Sequence, residues 1–277
     1  MRHVILMMVH KDTDRTQTFI DWFVKHNVPV VLHVDRNQRA LFDALTKYFA
    51  QQSLVFVIQD PVNVNWSGLS QVKAEIALIK QAMTTFPDAD YYHLISGECL
   101  PLFYPDEWDG FLDGKSYLEC QNLPEYEWRI RRFMPFGESP KNRTLLYRLI
   151  SRVLRDMQRV IPMRSNFGDE AKLKGGNWFS LCRSDVKKIL PRLNSNLLER
   201  LKLTRCADEH FLQILFAQAA IDFHHHNLRY SVWHDGKASP EYLSEEQLLK
   251  AQEDGHYLFA RKVNNKVFKE FSRKRLQ

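Results

Sequence analysis

Residues 4–34 read VILMMVHKDTDRTQTFIDWFVKHNVPVVLHV. Residues 4–9 form an unbroken apolar run, the pattern of a strand covered on both faces. Residues 16–26 then set Phe19 and Phe23 four positions apart, which is helical spacing. Residues 28–34 are a second buried strand. The alternation continues with a helix over 41–49 and a strand over 54–58. Strand alternating with helix predicts a parallel sheet with helices on its faces.

The pattern extends down the chain. Over residues 69–83, Val72, Ile76, Ile79 and Met83 make one apolar helical stripe, with Ser67 or Ser70 placed to cap it. A strand over 91–96 runs into Ser96-Gly97-Glu98-Cys99-Leu100-Pro101-Leu102, where Gly and Pro stop regular structure. Residues 117–121 and 178–182 are further strands. Residues 145–160 read as a helix whose apolar face is Leu146, Leu149, Ile150, Val153, Leu154 and Met157. Residues 208–219 read as a helix entered through Asp208-Glu209. A short strand over 230–233 and a helix over 244–252, capped by Ser244, follow. There is no internal repeat and no Gly/Ser linker. The expected organisation is one α/β domain over 1–263, with a basic helical insertion at about 123–173 and a basic tail over 264–277.

The 277 residues carry 39 Lys+Arg and 33 Asp+Glu, a formal charge of +6. The cations are concentrated. Residues 129–164 hold ten Arg/Lys and two acids; residues 261–277 hold seven and one. Two basic segments on an otherwise acidic body imply a partner that is anionic somewhere: nucleic acid, membrane surface or a phosphate-bearing substrate. No apolar run reaches the roughly 18–20 residues that cross a bilayer, and no signal peptide is evident. Cys99, Cys120, Cys182 and Cys206 form no C-x-x-C pair, so reduced thiols in a cytosolic compartment are expected.

Few segments carry chemistry on their own. There is no Walker loop and no G-x-G-x-x-G after a strand. Lys174-Gly175-Gly176-Asn177 leads into a strand and reads as a tight turn or a close backbone approach. Asp88-Ala89-Asp90 has the spacing of a divalent-metal D-x-D, but it precedes its strand, whereas ligands gather beyond strand carboxyl ends. A solvated turn is expected there. Asp12-Thr13-Asp14 follows the first strand and is better placed, yet offers only a weak metal signal. His224-His225-His226 cannot converge on one ion. Asp208-Glu209 is more informative: one acid can cap the helix, leaving the other free as a general base. Arg229 and Lys262 flank the last strand–loop–helix unit; they are either surface charges of a basic tail or, together, a pair that can neutralise a diphosphate without a metal.

The ordered set of segments resembles the core-2/I-branching β-1,6-N-acetylglucosaminyltransferase family, which includes peptide O-xylosyltransferases. The matching residues are Leu32-His33-Val34-Asp35, Asn65-Trp66-Ser67, Tyr92 to Leu102, Gly175-Gly176-Asn177-Trp178-Phe179, Asp208-Glu209, Arg229 and Leu258-Phe259-Ala260-Arg261-Lys262. They span about residues 3–263. The resemblance implies a GT-A-like nucleotide-sugar transferase fold and inverting, metal-independent transfer, with no cofactor beyond the UDP-sugar substrate. GlcNAc is the leading donor sugar, with UDP-xylose and UDP-glucose as alternatives. It implies Glu209 as general base and Arg229 with Lys262 on the UDP diphosphate. Val34 and Asp35 match the strand end that holds uridine, and His10 ends the neighbouring strand. Glu119, Glu127, Arg129, Arg131, Arg132 and Trp178 fall where the family places acceptor contacts.

The family's loop commonly reads Ser-Gly-x-Asp-x-Pro-Leu; here Glu98-Cys99 occupies it, with no Asp. The Golgi anchor and numerous cysteines of eukaryotic relatives have no counterpart, so a bacterial-type, cytoplasmic enzyme is expected, acting on a glycan or lipid-linked acceptor rather than on nucleic acid. The tail over 266–275, with Val267, Phe268 and Phe271 on one face, is either a peripheral contact to the anionic inner face of a membrane or a solvated terminus. The competing reading is a non-enzymatic anion-binding protein.

Overall fold

β1 (His3–Val9) is a central strand, buried on both faces as its continuous apolar run predicts. Its side chains alternate between two cores. Ile5, Met7 and Val9 enter one, with Phe19 and Phe23 of α1 (Thr13–Lys25) and Leu45 of α2 (Arg39–Tyr48). Val4 and Leu6 enter the other, with Val72 and Ile79 of α3 (Leu69–Thr85). Each such Leu, Val or Phe contributes about 2 kcal/mol by leaving water. The computed structural model describes residues 1–142, 144–237 and 239–275. Arg143 of the insertion and Leu276 and Gln277 of the tail lie outside the described residues.

The six-stranded sheet also takes in β2 (Val30–Val34), β3 (Val55–Val57), β4 (Tyr91–Ser96), β6 (Tyr117–Leu118) and β9 (Phe179–Cys182), in the order β3-β2-β1-β4-β9-β6. The pairs through β3, β2, β1 and β4 are parallel; β9 runs antiparallel to β4 and β6. Register aligns Val9 with Val34 and Met8 with Ser96, so the carboxyl ends of β1, β2 and β4 open together. β5 (Cys99–Pro101) leaves β4 and joins a second sheet with β10 (Arg229–Tyr230) and β11 (Phe259–Arg261), in the order β10-β11-β5. That sheet brings Arg261 and Lys262 to the end of β4. A two-stranded ribbon, β7 (Gln121–Asn122) with β8 (Leu173–Lys174), closes the other side.

The remaining helices are α4 (Trp128–Arg131), α5 (Leu145–Met157), α6 (Arg183–Ile189), α7 (Ser195–Arg200), α8 (Phe211–Gln218), α9 (Glu245–Asp254) and α10 (Asn265–Arg275). Several expectations change. The strand expected over 117–121 is split between β6 and β7, and the one over 230–233 shortens to Arg229–Tyr230. The helix expected from 208 begins only at Phe211, after a tight 3-10 turn over Ala207–Glu209. Neither Ser67 nor Ser70 caps α3. Instead Glu138, from the basic insertion, accepts the Ser70 N–H at 2.7 Å, putting a carboxylate at the positive end of the helix dipole. Ser244 does cap α9, in a reciprocal capping box with Gln247.

Two apolar faces take directions that helical spacing alone does not state. The tail is not a separate appendage: Phe268 and Phe271 of α10 are buried in the β1–α1 core, and Phe268 packs edge-on to Phe19 at 5.6 Å between ring centroids. Conversely, α5 turns Leu145, Leu146, Leu149, Val153 and Met157 to solvent.

Candidate active site

The carboxyl ends of β1 and β4 and the start of α10 enclose a cavity of about 420 Å³, lined by His10, Lys11, Arg15, Glu98, Tyr242 and Arg261 among others. Its electrostatic centre is Glu98. Lys11 Nζ lies 2.7 Å from this carboxylate, Tyr242 Oη donates to it at 2.7 Å, and Lys262 Nζ is 3.3 Å away. Burial alone would raise its pKa; the two hydrogen bonds and the ammonium groups outweigh that and hold it at about 2. Glu98, one position before the Cys99 that stands where the family's loop has Asp, is thus a fixed anion between two lysines. Arg261 donates to Ser96 Oγ, and its guanidinium stacks 4.3 Å over the Trp178 ring. This fixed, planar fork at the cavity wall suits a phosphate.

The sequence pairs Arg229 with Lys262 on a diphosphate, and the structure places Arg229 elsewhere. Its guanidinium is buried between β4, β9 and β11. It donates to Ser180 Oγ at 2.6 Å, to the Leu94 carbonyl at 3.1 Å, to the Phe179 carbonyl at 2.5 Å and to the Asn227 carbonyl. Burial pushes its pKa down to about 9. Arg229 therefore fastens the strand ends and has no free fork for a donor. The cations that line the cavity are Lys11, Arg15 and Arg261, with Lys262 behind the wall on Glu98.

Beyond β2, the Asp35 N–H donates to the Val9 carbonyl at 2.9 Å, joining the two strand ends. The Val34 side chain lies wholly in the core, so only its backbone is available to a ligand. His10 is exposed on the cavity wall. Asp88 and Asp90 sit at the opposite, amino end of the sheet, where Asp88 pairs with Arg2 and Asp90 with Arg183. Among the described residues, no three His, Cys, Asp or Glu side chains cluster as a metal site. The four cysteines are free and buried.

Glu209 lies in the tight turn before α8. Its Oε2 is 2.5 Å from Arg129 Nη1 and 3.0 Å from Lys174 Nζ. Burial works to raise its pKa, but the two cations win and lower it, so the carboxylate is ionised at neutral pH. Its neighbour behaves oppositely. Asp208 is buried, and burial followed by the Glu209 charge raises it to about 7. Gln71 of α3 donates to Asp208 Oδ2 at 3.2 Å, while Oδ1 has no partner. One turn along α3, Glu75 is fully buried and pushed up by burial and by Asp208. Two adjacent acids are thereby divided into one proton-holding and one ionised group.

The double-glycine loop sets this geometry. The Gly175 N–H donates to the Glu209 carbonyl at 3.0 Å. A Cβ on Gly175 would collide with the Glu119 carbonyl, and one on Gly176 would come 2.8 Å from Glu119 Oε2. Glycine is required at 175 by the Glu119 backbone, while at 176 it makes room for the Glu119 carboxylate. The loop delivers Lys174 to Glu209 and, four residues on, Trp178 to Arg261. Four residues span at most about 14 Å, so this one short loop carries contacts to both Glu209 and Arg261.

Of the other expected acceptor residues, Glu119 accepts the Gly176 N–H at 3.0 Å and supports this loop. Glu127 pairs with Arg131 at 3.0 Å. Arg132 is buried and donates to the Gln158 carbonyl beyond the end of α5, and Arg131 donates to the carbonyls of Phe167 and Gly168. Arg131 and Arg132 hold the insertion in place; only Arg129 reaches Glu209. Sequence reading missed Lys11, Lys174, Tyr242 and the cavity role of Arg261. The one available signal was adjacency: Lys11 follows His10 at the end of β1, and Arg261 precedes Lys262.

An α/β sheet whose carboxyl-end cavity gathers cations beside an ionised carboxylate is the arrangement of an enzyme that transfers a group from an anionic donor. The family model for Core-2/I-Branching enzyme matches residues 5–252, and the chain belongs to that family, with its GT-A-like fold. It is a glycosyltransferase, and the family works with a nucleotide-sugar donor and a glycan acceptor. Comparison with curated proteins returns no match. Among the described residues, no helix is long and apolar enough to cross a membrane.

Proposed function

We propose that this enzyme transfers a sugar, GlcNAc first among candidates, from a UDP-sugar to a hydroxyl of a glycan or lipid-linked acceptor, with inversion and without a divalent metal. Glu209 accepts the proton of the acceptor hydroxyl as its oxygen bonds to the anomeric carbon. The bond from that carbon to the diphosphate oxygen breaks on the opposite face, and UDP leaves with the electron pair. Lys11 and Arg261, with Lys262 behind them, offset the charge that develops on the departing phosphate. Arg229 acts as a positioning residue behind them. The observation that carries this reading is the ionised Glu209, paired with Lys174 of the loop whose Trp178 stacks under Arg261 at the wall of the cation-lined cavity.

The test is transfer from UDP-GlcNAc, UDP-xylose and UDP-glucose in excess EDTA, with the wild type and with Glu209→Gln. Wild-type turnover should persist in EDTA, and Glu209→Gln should lose about 10²–10⁴-fold in kcat, the range for a lost general base. Abolition by EDTA would remove the metal-free assignment. An active Glu209→Gln enzyme would remove the base. If no uridine sugar is turned over or raises the melting temperature, the uridine-sugar donor assignment falls.

A further inference from the structure

We propose that the outward face of α5 is a membrane-docking surface that seats this enzyme on an anionic lipid bilayer. Leu145, Leu149, Val153 and Met157 recur every four residues, which on an α-helix is one stripe. Their relative exposures are 72%, 47%, 56% and 66%. Leu146 widens the stripe, and Val160 at 89% prolongs it past the helix end. Of the described side chains on α5, only Ser151 is buried. An amphipathic helix ordinarily turns its apolar stripe inward; this one does the reverse.

The occupant follows from charge. Residues 141–164 hold seven Lys/Arg and a single acid, Asp156, which is itself paired with Arg155 and Arg159. Arg148 and Arg152 are exposed beside the stripe. A second copy docking on this face about a two-fold axis would place the same basic surface against itself, which like-charge repulsion opposes. An anionic bilayer complements both parts: acyl chains take the Leu and Val side chains, and lipid phosphates take the arginines. The helix is held rigidly for this. Arg155 stacks 5.0 Å over Trp128 of α4, and the adjacent Arg129 pairs with Glu209. The surface and the carboxylate thus rest on the same short helix.

The claim is independent of donor, acceptor and mechanism, and its test is binding rather than turnover. The full-length protein is co-sedimented with vesicles of pure phosphatidylcholine and with vesicles containing about 30% phosphatidylserine. The comparison includes Leu149→Asp/Val153→Asp and, separately, Arg148→Gln/Arg152→Gln. All four positions are exposed and outside the cleft, so unchanged circular dichroism and an unchanged UDP-sugar thermal shift establish folding. The wild type should prefer the anionic vesicles. The apolar double variant should lose binding at least tenfold. The arginine pair should lose about 25-fold, the product of roughly fivefold for each cation near the surface. Absence of binding to anionic vesicles, or equal binding by Leu149→Asp/Val153→Asp, overturns the proposal. So does a wild-type dimer that this variant abolishes, because the face is then a protein interface.

Discussion

Glu209 has to be ionised to accept a proton, yet every cation that keeps it ionised also makes it a weaker base. Arg129 and Lys174 on Oε2 set that compromise. Arg129→Met removes the larger electrostatic contribution, so the carboxyl should climb toward the ordinary 4.3. The acid limb of kcat/KM should then move to higher pH, as a pH–rate profile on the free enzyme will register. An unmoved limb would mean that another group controls it. The two arginines separate as cleanly. Arg261→Ala deletes a charge-assisted contact of about 1.5–3 kcal/mol, so the donor KM should rise roughly 10- to 100-fold with little change in melting temperature. Arg229→Met strips the Ser180, Leu94 and Phe179 acceptors of a buried donor. It should cost about 3 kcal/mol or more in stability while the folded fraction keeps its donor KM. The opposite pattern would return Arg229 to the donor site.

At the scale of elements, legibility depended on whether the pattern states its own direction. β1, β2 and β4 are apolar throughout, and a strand of that kind has no polar face to misplace, so their burial and parallel order follow from residues 4–9, 28–34 and 91–96. An amphipathic helix states only that two faces differ. The stripe of α5 was legible without its direction and faces outward, while the stripe of α10, expected at a membrane or in solvent, is inward. What decides each case lies far along the chain: Phe19 and Arg15 receive Phe268, whereas no core surface receives Leu149 or Val153. Arg229 was misread for the same reason, since its acceptors come from β4 and β9. Glu209 belongs to a local motif, Asp208-Glu209, that sequence can single out, whereas its partners Arg129 and Lys174 come from distant segments. The inward reading of α10 has a direct check. Phe268→Ala and Phe271→Ala should each cost about 3–5 kcal/mol in denaturant unfolding, the range for a buried aromatic. Losses below about 1 kcal/mol would place α10 outside the fold.

For the molecule as a whole, the buried titratable groups pull stability in opposite directions with pH. Burial lowers His33 and His210 to about 4, from an ordinary 6.5. The unfolded chain therefore binds protons that these folded imidazoles refuse, and stability falls as pH drops below about 6.5. At 1.36 kcal/mol per unit, each costs about 2 kcal/mol by pH 5. His3 and His93 are lowered as well and act in the same sense. Asp208 opposes them. Its folded pKa is raised to about 7 from an ordinary 3.8, so its contribution is complete below the ordinary value and is lost as pH rises through 7. Between pH 7.5 and pH 5 it returns about 3 kcal/mol. The histidines outnumber it, so the wild type should be less stable at pH 5 than at pH 7.5. Asp208→Asn cannot titrate, so it removes this opposing contribution, and it also relieves Glu75, which burial and Asp208 raise in the same sense. Urea unfolding at the two pH values should therefore show an acid loss at least about 3 kcal/mol larger in Asp208→Asn than in the wild type. Equal losses would mean that Asp208 is already ionised in the folded enzyme, and the division between a proton-holding Asp208 and an ionised Glu209 would fall with it.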